Sequence, residues 1–230
     1  MRVFVLAGGL GTRLAHALGD LPKALAPLGG RPFLERQLTW LAKQGLDEIV
    51  LCVGHGAEQV EQALGDGKAL GVSVYYSHES SPLGTGGALA QARSWVKGPS
   101  LVVNGDTLAD LDLRALERAR WEHGVVASLA LFRIDDAQES GRVECDGEDR
   151  VIRFVEKDGS HQGEAWVNGG CYAFAPALWD WLPSGASSLE RDVLPRLAGA
   201  GQLVGYVAEG SFWDIGTPQG LERAERRFAG

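Results

Sequence analysis

Apolar residues in the first half of the chain gather into short continuous runs: "VFVLA" at 3–7, "EIVLCV" at 48–53 and "SLVVN" at 100–104, with "VSVYYS" at 72–77 and "VVASLALF" at 125–132 close to the same pattern. A strand with one wet face alternates apolar and polar residues, whereas a strand covered on both faces stays apolar along its length. Between the runs, "FLERQLTWLAKQG" and "LRALERARWEHG" repeat their apolar residues at the spacing of one helix face. The alternation predicts an α/β fold, a mostly parallel sheet with helices on both sides. After residue 135 the rhythm changes. "RVECDGEDRVIRFVEK" reads as a hairpin around Asp146-Gly147, an insertion or lid rather than another βαβ unit. A strand in "WVNGGCYAF", a helix in "SLERDVLPRLA", a strand in "LVGYVA" and a last helix capped by Thr217 with Pro218 as its first residue complete the pattern. No internal repeat, low-complexity tract or linker divides the chain, so one domain over 1–230 is expected.

Composition narrows the partners. A net charge of -8 and a pI near 5.2 argue against a nucleic-acid or anionic-membrane surface, which needs spread-out positive charge. Any phosphate must be met by a few placed cations or a metal. Cys52, Cys145 and Cys171 are odd in number and far apart, which fits reduced core residues rather than a disulfide framework or zinc ribbon. The start runs directly into "VFVLA" without a charged leader, and no segment is apolar enough to span a membrane, so a cytoplasmic protein is expected. Nothing in the pattern speaks for or against a homo-oligomer. The 32 glycines, roughly twice the usual ~7%, cluster at strand ends, the edge where open α/β sheets bind ligands.

The most pointed of these edges is "VFVLAGGLGTRL" at 3–14, where a buried strand breaks into Gly8, Gly9 and Gly11 and ends on Arg13. Such a turn lets successive N–H groups face inward around anionic oxygens, and Arg13 adds a permanent charge. A phosphate-bearing ligand suits it; on its own the turn reads equally as a tight strand-to-helix junction. A dinucleotide fingerprint fails because Leu14 stands at the third glycine and the second strand ends Val53-Gly54-His55 without an acid, and "GDGKAL" lacks the spacing and hydroxyl of a P-loop. Lys23, in proline-punctuated "DLPKALAPLGGRPFLE", brings a cation near, although alone it reads as a solvated loop lysine. A second glycine-rich turn, "SPLGTGGAL" at 81–89, leads into a helix and is expected to offer free N-terminal amides. Just before it, Glu79 can accept from guanine N1–H and N2–H2, or from uracil N3–H alone; otherwise it is a surface glutamate. Asp106 ends the apolar strand of "LVVNGDT" and is a candidate Mg2+ ligand, with Asp214 of "FWDIGTP" as its best partner. Taken alone, Asp214 reads as a turn aspartate bonded to its own loop. Asp110 and Asp112 are read as the start of the following helix.

Seven blocks occur in one order: "LAGGLGTRL", "LPKALAPLGGRPFLE", "PLGTGGAL", "VNGDT", "EK" at 156–157, "NGG" at 168–170 and "DIGTP". In them the chain resembles the sugar 1-phosphate nucleotidyltransferases over nearly its whole length, most of all the D-glycero-alpha-D-manno-heptose 1-phosphate guanylyltransferases. The N-acetylmuramate 1-phosphate uridylyltransferases and mannose 1-phosphate guanylyltransferases are also similar. The resemblance implies a Rossmann-like, GT-A-like domain in which about 1–110 bind the nucleotide and about 111–230 the sugar phosphate. It places Leu6, Ala7, Gly8, Gly9, Gly11, Thr12, Arg13 and Lys23 along the nucleotide, and Glu79 and Gly84 at its base. Asp106 and Asp214 would hold Mg2+ against the α-phosphate. Lys157 would neutralise the sugar phosphate, acting with Arg13 and Lys23 as the catalytic cations. Gly105, Glu156, Asn168, Gly169 and Glu190 would meet the sugar. The implied reaction joins a sugar 1-phosphate, heptose above others, to the nucleotidyl group of an NTP, GTP above UTP, with release of pyrophosphate. Its nucleophile is already ionised at neutral pH, so no general base is needed and the five histidines have no catalytic role.

Three departures stand out. Ala24 follows the signature lysine where relatives carry proline, leaving that backbone less restrained; Ser80 and Ser81 replace residues that are often acidic; and Trp213 replaces a smaller apolar residue, changes expected to touch substrate choice. The chain ends shortly after "DIGTP" without a hexapeptide repeat, so no fused β-helix is expected. Two other functions remain in view: a catalytically silent nucleotide-sugar sensor, and a glycosyltransferase using "DLD" at 110–112 as its metal motif.

Overall fold

The computed structural model describes residues 1–135, 142–155 and 163–228. β1 (Arg2–Leu6) leads through the glycine turn and a short helix, α1 (Ala15–Leu18), to a small ribbon of β2 (Pro27–Leu28) and β3 (Arg31–Pro32). There follow α2 (Phe33–Lys43), β4 (Glu48–Val53), α3 (Ala57–Leu64), β5 (Ser73–His78), α4 (Gly84–Gln91), β6 (Ser100–Asn104), β7 (Thr107–Ala109), α5 (Leu113–Glu122) and β8 (Ala127–Ile134). The second half carries β9 (Arg142–Cys145), β10 (Val151–Val155), β11 (Ala165–Phe174), α6 (Leu194–Gly199), β12 (Leu203–Val207), β13 (Phe212–Asp214) and α7 (Pro218–Phe228).

β1 lies parallel between β4 and β6, β5 extends the sheet beyond β4, and β12 pairs parallel with β8. The long β11 runs antiparallel between β6 and β8, joining the two parallel groups into one nine-stranded sheet. The sheet is mostly parallel and flanked by helices, as the continuous apolar runs predict. Both faces are covered: Val3 and Val5 pack with Leu34, Leu38, Leu41, Val60 and Leu116 of α2, α3 and α5, while Phe4 packs with Leu89 of α4 and Leu197 of α6 on the other side. Each such side chain, taken fully from water, contributes about 1.5–3 kcal/mol.

The expected hairpin forms between β9 and β10, its turn held by Asp146 Oδ1 accepting from the N–H groups of Glu148 and Arg150 at 2.9 Å. It docks on the main sheet through the Val167–Arg142 pair and an Arg150–Val204 bridge, and so extends that sheet. The helix read from "SLERDVLPRLA" opens as a wide π turn over Leu189–Val193 before α6 begins, because Pro195 has no N–H to continue a regular ladder. Thr217 caps α7 as expected, its Oγ1 accepting from Gly220 N–H at 3.0 Å, and Asp112 caps α5. A third apolar cluster matters most for the site: Leu14, Ala26, Leu28, Leu108, Ile215, Leu221 and Ala224 lock the glycine turn, the β7–β13 ribbon and α7 together.

Candidate active site

The two aspartates are brought together by backbone. β7 and β13 pair antiparallel over three residues, with Asp214 opposite Thr107, and Ile215 N–H donates to Asp106 O at 2.9 Å. The point where a side chain at Gly216 would begin lies 2.8 Å from Asp214 Oδ1, 3.2 Å from Asp106 Oδ2 and 3.2 Å from Arg13 Nη2. Both carboxylates and the Arg13 guanidinium therefore converge on one spot. Lys23 Nζ contacts Asp106 Oδ2 at 2.5 Å, each side chain 19% exposed. Asp214 reaches solvent, yet the atoms packed around it and the neighbouring Asp106 charge raise its pKa, opposed by Gly216 N–H, Lys23 and Arg13. Two facing carboxylates, one of them held above its ordinary pKa, form a donor set that a divalent cation with oxygen preference fits. Among the described residues no cluster of three or more His, Cys, Asp or Glu offers a metal site.

Leu6, Ala7, Gly8, Gly9, Lys23, Glu79, Gly84, Gly105 and Asp106 all line one open cleft of about 250 Å3 at the carboxyl edge of the sheet, together with Thr85 and Asn104. Gly11 and Lys23 line an adjoining hollow, and Thr12 and Arg13 form the exposed turn between them. Gly105 lets two strand ends touch: its N–H donates to Leu6 O at 2.9 Å, and a Cβ there would lie 2.6 Å from the same oxygen. Ala24 does not loosen Lys23. Pro22 O and Lys23 O accept from Leu25 N–H at 2.8 Å and Ala26 N–H at 3.0 Å, and buried Ala24 anchors the turn. Trp213 packs edge-on against Phe228 and lies near Arg227, so it helps hold α7 on the ribbon.

Glu79 lies over the cradle. Its Oε2 accepts from Leu83 N–H at 2.9 Å, and its Oε1 sits so near Gly8 that any side chain there would collide with it. Burial raises the Glu79 pKa above 4.5, and the Leu83 hydrogen bond opposes this. The ionised group therefore costs stability above its native pKa, and the cost vanishes as the pH falls below the unfolded value. Glu79→Gln keeps an acceptor for Leu83 while removing the charge. It is expected to raise the melting temperature near neutral pH, with the difference closing in acid; a lower melting temperature at neutral pH contradicts this.

Some of the free amides expected at α4 are taken by the protein itself. Ser187 O accepts from Gly86 N–H at 2.9 Å and from Gly87 N–H at 3.3 Å, while Leu83 N–H is held by Glu79. Gly84 stands at φ +69 with Ser187 O only 2.6 Å from where its Cβ would be, so the helix start packs closely against Ser187 on one side while Gly84 and Thr85 still line the cleft. Nothing near "SPLGTGGAL" in sequence signals this, because its partner lies a hundred residues on.

Behind Thr85, which lines the cleft, Glu190 Oε2 accepts from Thr85 Oγ1 at 2.7 Å and Ser188 Oγ at 3.0 Å, and its Oε1 from the Tyr172 hydroxyl at 3.5 Å; Asn168, Gly169 and Glu190 are not among the residues lining the cleft itself. Asn168 Nδ2 donates to the same hydroxyl at 2.9 Å. Tyr172 thus links the two residues that the resemblance puts against the sugar, and the sequence hides it inside an apolar strand. Gly169 packs under the ring of Phe132. Glu156 and Lys157 lie outside the described residues.

The Nucleotidyl transferase family model matches residues 2–229. D-glycero-alpha-D-manno-heptose 1-phosphate guanylyltransferase of Aneurinibacillus thermoaerophilus is 34% identical over 230 residues, covering 99% of this chain and 98% of that protein. Mannose-1-phosphate guanylyltransferase of Mycobacterium tuberculosis is 37% identical over 224 residues, 95% of this chain, which spans only 62% of the mycobacterial protein's length. The crystal structure of HddC from Yersinia pseudotuberculosis complexed with GMP-PN superposes with a TM-score of 0.88 at 31% identity, covering 99% of both chains. The chain belongs to the nucleotidyl transferase family.

Proposed function

We propose that this chain transfers the guanylyl group of GTP to a sugar 1-phosphate, with D-glycero-alpha-D-manno-heptose 1-phosphate as the acceptor. The observation that carries the reading is the convergence of Asp106, Asp214 and Arg13 on Gly216, with Lys23 on Asp106, beside the glycine-lined cleft. An oxygen of the sugar phosphate attacks the α-phosphorus, the bond to the β-phosphate oxygen breaks, and pyrophosphate leaves. That nucleophile is an anion approaching an anion, so the work lies in orientation and charge neutralisation. Mg2+ bound by Asp106 and Asp214 would supply positive charge at the α-phosphate. Arg13 and Lys23 neutralise the triphosphate, and the Gly8–Gly11 turn cradles it. Glu79 accepts from the guanine edge, Gly84 borders the base, and Asn168, Gly169 and Glu190 orient the sugar beside Gly105. Glu156 and Lys157 complete the sugar-phosphate side. Residues 1–110 then serve the nucleotide and 111–230 the acceptor. Three unpaired cysteines suit the reducing cytoplasm, and no described helix is long and apolar enough to cross a membrane.

Pyrophosphate release from GTP and UTP, each paired with heptose, mannose, glucose and N-acetylmuramate 1-phosphates, tests the reading. GTP with heptose 1-phosphate is expected to turn over fastest. Faster turnover with UTP overturns the guanine assignment, faster turnover with mannose 1-phosphate overturns the acceptor, and no release with any pair leaves the sensor.

A further inference from the structure

Helix α2 buries Phe33, Leu34, Leu38 and Leu41 completely, and among them, equally buried, stands Gln37. An amide in such a place costs free energy unless its hydrogen bonds are made. Its Nε2 donates to two backbone carbonyls, Asn104 O at 2.8 Å and Thr107 O at 2.5 Å, while its Oε1 has no partner. Those carbonyls bracket Gly105 and Asp106, the turn that presents the first of the two facing carboxylates. Other groups pin the same turn from the opposite directions: Leu6 O accepts from Gly105 N–H and Asp106 O accepts from Ile215 N–H, both at 2.9 Å. An apolar side chain of equal length would suit this helix face and leave no orphaned oxygen. What explains the amide is the pair of carbonyls it holds.

We propose that Gln37 is a positioning residue that sets the Asp106 turn for cation binding opposite Asp214. The inference rests on the reading of Asp106 and Asp214 as the metal-holding pair. Gln37 touches neither substrate nor cation; it acts through the two carbonyls on either side of Asp106, and groups that orient a ligand in this way change metal affinity by about 10- to 100-fold when lost.

Mn2+ titrated into the full chain, followed by loss of the free ion's electron paramagnetic resonance signal, tests it without turnover. Gln37→Met has the same length and no donor, and is expected to weaken Mn2+ binding by about 10-fold. In Gln37→Glu the buried carboxyl, facing two carbonyls, keeps its proton and makes one of the two bonds, so binding falls between the parent and Gln37→Met. The glutamate variant also answers the question if the methionine variant does not fold. Parent-strength binding in whichever variants fold, alongside weakened binding in Asp106→Asn, overturns the inference and leaves the metal pair standing. Parent-strength binding in Asp106→Asn as well overturns both.

Discussion

Asp106→Asn and Asp214→Asn are each expected to lower kcat for pyrophosphate release by about 10²- to 10³-fold, equivalent to roughly 3–4 kcal/mol of transition-state stabilisation, while leaving the fold intact. The asparagine at 214 still offers an oxygen to Gly216 N–H, which in the parent reaches Asp214 Oδ1 at 2.5 Å. The backbone pairing of β7 with β13 does not involve either side chain. What each substitution removes is one negative charge from a pair that faces across Gly216. For Asp106 it also removes the Lys23 ion pair, so that variant is expected to weaken nucleotide binding as well as turnover. Steady-state kinetics over a range of Mg2+ concentrations, with circular dichroism as the check on folding, separates the two effects. Turnover of Asp214→Asn within a few-fold of the parent would remove this carboxylate from the chemistry.

Gly8→Ala is expected to fold normally and to lose base selectivity. The added methyl meets the end of the Glu79 side chain, which can swing, rather than a rigid backbone atom at the same range; Gly54 N is the nearest backbone atom, at 3.3 Å. Glu79 is thereby pushed off the cradle and away from Leu83 N–H. A bidentate contact to guanine is worth about 1–3 kcal/mol, so kcat/KM for GTP is expected to fall by about 10- to 100-fold, with UTP little changed. A parallel loss for GTP and UTP would place Gly8 against the phosphates alone and take the base from Glu79.

The sheet was legible because its strands are covered on both faces and stay apolar, and because the edges carrying ligands are rich in glycine. "EIVLCV" and "SLVVN" form strands with the same bounds as their apolar runs, and Asp112 and Thr217 cap the helices they precede. The two aspartates were legible as a candidate pair from their settings, Asp106 at the end of an apolar strand and Asp214 among aromatic and aliphatic neighbours, but the ribbon that joins them was not, since three-residue strands such as β7 and β13 carry no periodicity of their own. Contacts between distant segments stayed hidden. Ser187 takes the Gly86 and Gly87 amides of α4 and Gln37 reaches the turn at Asp106, each across many tens of residues, while Tyr172 ties Asn168 to Glu190 between separate elements. A polar residue on an otherwise apolar helix face was the one local clue to Gln37. Trp213 hid a contact of its own: next to a candidate metal-binding aspartate in sequence, it packs edge-on against Phe228 of α7.

The ribbon of β7 and β13 also sets an order of events during synthesis. Every element of the glycine cradle leaves the ribosome well before Phe212–Asp214, and α7, which clamps the ribbon through Leu221 and Ala224, comes later still. On the proposed reading the cradle residues are therefore synthesised while Asp214 is still absent, and the facing carboxylates meet only when the tail folds back onto the opening turn.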